Sequence, residues 1–119
     1  MAKITSPVTN TEIPSGYFTV TGEIDDATEV VDGYAWLVMG RTHYHHVMWP
    51  KANVSGNFSE SIFEGGDPGP IICRLMVVTP SVHERFMDVS VTDAGLEIPD
   101  FVQLDYVNLT KTGDLAPKP

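Results

Sequence analysis

A single cysteine, Cys73, stands in the 119 residues, which excludes an intrachain disulfide and a cysteine-based zinc cluster. Positive charge is scarce: seven Lys and Arg against 16 Asp and Glu leave a formal net charge of −9. A surface that reads phosphate needs a surplus of Lys and Arg, so the composition argues against DNA, RNA and anionic membranes as partners. Long apolar runs are also missing. The longest, residues 34–39 and 75–78, fall far short of the ~20 residues of a membrane-spanning helix. The opening Met1-Ala2-Lys3-Ile4-Thr5-Ser6-Pro7 has no signal-peptide core and no small-residue cleavage site. The expectation is a chain that is cytosolic, assembled into a larger particle, or one domain of a longer protein. Hydrophobic residues make up 42% and charged residues 19%, which suits a folded core rather than a disordered chain. The length suits one domain.

What is present reads mostly as strands. Ten Gly and nine Pro punctuate short β-branched and aromatic runs. Lys3 to Ser6 is a short first strand, and Asn10 to Gly16 a turn-rich connection. Tyr17 to Ile24 alternates with period 2, Phe18, Val20 and Ile24 on one face and Tyr17, Thr19 and Thr21 on the other. Asp25 to Gly33 is an acidic loop. Tyr34 to Met39 is apolar on both faces, as in a strand covered on both sides. Gly40-Arg41 reads as a turn, Thr42 to Trp49 as a strand stopped by Pro50, and Lys51 to Gly56 as a loop. Asn57 to Glu64 alternates again, but Glu60 shares the apolar face of Phe58 and Ile62, where a carboxylate needs a partner or a sheet edge. Gly65 to Pro70 is a turn-rich loop incompatible with helix or strand. Ile71 to Thr79 is a core strand apart from Arg74. Ser81-Val82-His83-Glu84 fits a capping box after Pro80. Val82, Phe86 and Val89 then follow on one helical face, and Gly95 ends the segment. Phe101 to Leu109 is a last strand whose phase switch predicts a bulge near Tyr106. Residues 111–119 read as a flexible C-terminal tail.

Seven or so closely spaced strands with turn signals between them predict an all-β, two-sheet β-sandwich over residues 1–110, with one short helix before the last strand. Three blocks carry a resemblance: Ile4-Thr5-Ser6-Pro7 with Tyr17-Phe18-Thr19-Val20-Thr21-Gly22; Ala35-Trp36-Leu37-Val38-Met39 with the tyrosine-containing strand closed by Trp49-Pro50 and then Gly56-Asn57-Phe58-Ser59; and Leu104-Asp105-Tyr106-Val107-Asn108-Leu109-Thr110. Together they resemble bacterial and phage immunoglobulin-like accessory domains. The resemblance implies an immunoglobulin-like sandwich and a supporting role, and supplies no catalytic residues. Trp36 on the third strand matches the place where such cores often carry a Trp.

The sharpest local feature is His43-Tyr44-His45-His46. On a strand, His43 and His45 share a face at metal-ligating spacing. No acidic residue follows nearby, so a third ligand would come from afar, such as Glu60 or His83; packing imidazoles are the competing reading. Tyr44, His46 and Met48 share the other face, while Val47 and Trp49 lie on the face of His43 and His45; the flat, aromatic surface offered by Tyr44, His46, Met48 and Trp49 suits protein recognition or sugar stacking. Asp25, Asp26, Glu29 and Asp32 offer oxygen ligands for calcium without the spacing of an EF-hand. Cys73, among apolar neighbours, reads as a buried thiol rather than a nucleophile. There is no Gly-x-Ser-x-Gly elbow and no phosphate-binding loop, so no enzyme, cofactor or catalytic set is expected. The expected function is a non-catalytic module that binds a partner protein or decorates an assembly such as a virion or cell-surface complex. A carbohydrate-binding module on the exposed aromatics is the alternative, and a metal-dependent enzyme on the histidines the most distant one.

Overall fold

The computed structural model describes residues 2–24, 33–41, 44–64, 68–88, 95–97 and 101–116, apart from the side chains of 44–46, 96 and 113–116. Its elements are β1 (Lys3–Ser6), β2 (Thr11–Glu23), β3 (Tyr34–Arg41), β4 (Tyr44–Asn53), β5 (Asn57–Glu64), β6 (Gly69–Val78), α1 (Pro80–Phe86), β7 (Leu96–Glu97) and β8 (Val102–Ala116). The strands form a mixed sheet in the order β1-β2-β8-β6-β3-β4-β7, with β5 attached to β2. Among the described residues the chain is thus mostly β with one short helix.

Strand β2 belongs to two arms. Its first half pairs in parallel with β8, from Thr11 opposite Leu109 to Gly16 opposite Ala116. Its second half pairs antiparallel with β5, from Gly16 opposite Glu64 to Glu23 opposite Asn57. Gly16, at the junction, has φ of 103°, a conformation that a Cβ disfavours. The two arms share one core. Ile4, Val20, Phe58 and Ile62 from the β1-β2-β5 arm pack with Leu37, Met39, Cys73, Leu75, Val107 and Leu109 from the other.

Alternation explains which residues meet. In β5, buried Phe58 and Ile62 alternate with exposed Ser59 and Ser61, one face in and one out. In β3 both faces are covered, as expected for a run apolar throughout. Ala35, Leu37 and Met39 enter the main core, while Trp36 and Val38 join Met48, Met76, Val78 and Phe86 in a second cluster. The short helix α1 supplies Phe86, and with it the cover for that outer face.

Several sequence expectations change. Residues 11–16 are strand rather than connection, because β8 offers them a parallel partner. Gly40 and Arg41 extend β3, opposite Met48 and Tyr44. Pro50 lies inside β4, which continues to Asn53. The register steps from Leu37–Ala52 to Val38–Pro50, so Lys51 is a bulged residue, the setting in which a strand tolerates a proline. Gly69 and Pro70 open β6, opposite Lys111 and Thr110. The cap lies two residues before the predicted Ser81: Thr79 Oγ1 accepts from Val82 N at 3.3 Å, and Pro80 takes the first helical position, where its missing N–H costs nothing. The bulge in β8 falls at Leu104, between Gln103–Met76 and Asp105–Leu75, two residues from the expected place. The predicted tail begins as strand: β8 runs to Ala116 and Lys111 is buried. Val89 and the acidic stretch 25–32 lie outside the described residues.

Candidate functional site

The predicted histidine strand is placed only in outline. His43 lies outside the described residues, and Tyr44, His45 and His46 are placed by backbone alone. Met48 is 3% exposed and packs in the second cluster, so it offers no recognition surface. Trp49 is half-buried opposite Met39. A Cβ on Gly95 would stand 3.0 Å from the Trp49 indole, so glycine lets the 95–97 segment close against that ring. Among the described residues no three His, Cys, Asp or Glu side chains gather as a metal set. Of the distant ligands considered, His83 is engaged by rings: Trp36 Nε1 donates to its Nδ1 at 3.0 Å, and Tyr34 stacks on it at 3.7 Å between centroids. Cys73 is buried, and its thiol is pushed up to about 12 by burial first and the charge of Asp105 second. It is therefore a protonated, inert group at neutral pH.

The structure instead brings together two sets of residues that the sequence does not pair. The first lies on the outer face of β6 and β8, beyond the part that α1 covers. Arg74 stands opposite Tyr106 on one side and Val38 on the other, so all three share that face. The guanidinium reaches over β3: Arg74 Nη1 is 3.1 Å from where a Gly40 Cβ would be. Its Nε donates to Gln103 Oε1 at 3.1 Å. Burial pushes the Arg74 guanidinium down from its ordinary value, yet the group stays charged at any physiological pH. Tyr106 is 49% exposed. An oriented arginine beside an open tyrosine on a flat strand face has the composition of an interaction hot spot. Arg74 had one sequence signal, as the single charged residue in an otherwise apolar strand. Tyr106 had none beyond its place near a bulge.

The second set centres on buried Glu64, at the end of β5. Arg41 Nη2 lies 3.3 Å from Glu64 Oε1, Lys111 Nζ 3.4 Å from the same oxygen, and Lys51 Nζ 3.9 Å from Oε2. Lys51 also donates to the Phe63 carbonyl at 2.8 Å. Its position at the bulge in β4 lets it reach across to β5. Desolvation pushes the Lys111 ammonium down from its ordinary value, with Glu64 opposing the shift. Three cations from β3, β4 and β8 thus converge on one carboxylate of the opposite arm. These positions are spread over 70 residues, so no spacing motif marks them. Elsewhere, an open cleft of about 310 Å³ runs between Asn10, Ile71 and Asn108, and its lining carries no titratable side chain.

This arrangement can orient and bind. Among the described residues it offers no nucleophile set beside a base. No protein family, curated protein or solved structure matches this chain.

Proposed function

We propose that the chain is an immunoglobulin-like two-sheet β-sandwich acting as a non-catalytic module that binds a partner protein or decorates a larger assembly. Two arms packed through one core, with β2 shared between them, support the sandwich reading. One feature departs from the immunoglobulin pattern: Trp36 turns outward beneath α1 rather than into the space between the arms. The observation that carries the functional reading is the strip of Tyr106, Arg74 and Gln103 on the outer face. Its arginine is held in place by a hydrogen bond and by the gap over Gly40, so docking costs little side-chain entropy.

The test is stoichiometric co-purification of a partner from the native source. Tyr106→Ala and Arg74→Ala are expected to lose that partner while keeping the circular dichroism spectrum of the wild type. Tyrosine-dependent binding on a glycan array, with no protein partner, would replace this reading by carbohydrate recognition.

A further inference from the structure

The free edge of β5 has a chemistry of its own. Among the described residues β5 pairs with β2 alone. Ile24 N donates to Gly56 O at 2.9 Å, which makes Glu23–Asn57 a non-hydrogen-bonded pair in the antiparallel ladder. By alternation, the N–H and C=O groups of Asn57, Ser59, Ser61 and Phe63 point away from β2. The Phe63 carbonyl is taken by Lys51, and among the described residues no strand or backbone group pairs with the outward side of Asn57 to Ser61. Natural edges are usually blunted by proline, lysine or a bulge. This one has an uninterrupted register, and its outward side chains, Asn57, Ser59, Ser61 and Phe63, are uncharged.

One device against pairing is present. Glu60 sits half-buried on the core face between Phe58 and Ile62, and it makes no hydrogen bond or ion pair with any described residue. A neutral or acidic strand added to this edge would bury that carboxylate without a partner, which is costly. A basic residue opposite it removes the cost. The geometry favours such a contact: Glu60 would face the incoming strand in a non-hydrogen-bonded pair, where opposed side chains come closest.

We propose that the β5 edge takes up an extended peptide strand from a partner protein, with a Lys or Arg opposite Glu60. The site goes beyond the outer-face strip and does not depend on it. A second copy of this chain is the poorer occupant. Antiparallel self-pairing with Ser59 opposite Ser61 sets the two Glu60 carboxylates against each other, and each chain carries a formal charge of −9. The unpaired carboxylate therefore selects by charge as well as by shape.

A labelled heptapeptide, Thr-Val-Thr-Arg-Thr-Val-Thr, tests this by fluorescence anisotropy with the full chain. Its Arg falls opposite Glu60 and its two Val opposite Phe58 and Ile62. The expected result is binding at least about tenfold tighter than that of the same peptide with a central Glu, and reversal of that preference by Glu60→Lys. Ser61→Pro removes an outward N–H that β2 does not use, and is expected to abolish binding of both peptides with the fold retained. If Ser61→Pro fails to fold, Ser59→Pro serves the same purpose. Tyr106→Ala is expected to leave peptide binding unchanged, which separates this site from the outer-face strip. The proposal is overturned if neither peptide binds, if both bind equally, if a folded proline variant still binds, or if sedimentation shows that the edge is used by a self-dimer.

Discussion

Beyond the apolar core that the two arms share, the contact under α1 and the contact at the end of β5 have opposite chemistries. Beneath α1 the contact is made of rings. Trp36 meets Phe86 edge-on at 5.1 Å and gives its N–H to His83, so a large apolar body is buried with its one polar atom satisfied. At Glu64 the contact is made of charge, with three cations on one carboxylate. The ring cluster gains from burial itself. The ion cluster gains only while its members stay matched, because each charge removed from water must recover its hydration from a neighbour. Stability in the first is distributed over area; in the second it depends on one residue.

The largest expected effect comes from the rings. Trp36→Ala removes the body of the second cluster and is expected to cost about 4 kcal/mol in urea unfolding. A loss below about 1 kcal/mol would mean that α1 is anchored some other way. Next is Glu64→Gln, which leaves the buried Lys111 ammonium without its carboxylate and is expected to cost about 3 kcal/mol. Equal costs for Glu64→Gln and for loss of any one cation would mean that the cluster does not hinge on Glu64. The smallest effect belongs to Lys111→Met, within about 1 kcal/mol of wild type at pH 7. This substitution removes a desolvated charge and keeps an apolar stem.

The same variant carries a pH signature. Burial lowers the Lys111 pKa in the folded state from its ordinary 10.5. The folded protein therefore binds this proton less tightly than the unfolded chain does. The resulting penalty is fully present below the folded pKa and fades as the pH rises toward 10.5. Wild type should gain stability relative to Lys111→Met across that interval in thermal melts. A stability difference that stays flat with pH would place Lys111 outside the buried cluster.

Much of the fold was legible because period-2 alternation is a local property. β1 and β5 were found with their bounds, β3 and β6 to within two residues at either end, and the β8 bulge nearly so. What was missed depends on partners far along the chain. Nothing in residues 11–16 announces that β8 will pair with them, and Lys111 looks like tail until Glu64 is placed beside it. Pro50 is a stop by local rules and a strand residue once the bulge at Lys51 absorbs the misfit. The candidate surfaces were less legible still. Arg74 stands out in the sequence as the one charge of an apolar strand, but its place on an outer face shows only once Gly40 leaves room for it, and Glu60, out of place on an apolar face in the sequence, gains meaning only when the described strands put β5 beside β2 alone.

The position of β8 between β2 and β6 has a kinetic consequence. Joining Thr11 to Leu109 closes a loop of nearly the full chain, the kind of contact that slows folding. Until that strand is made, β2 and β6 each present a bare flank. During synthesis the nascent polypeptide therefore stays sticky until the ribosome has delivered β8, and a chaperone that shields exposed strand flanks would matter most in that interval.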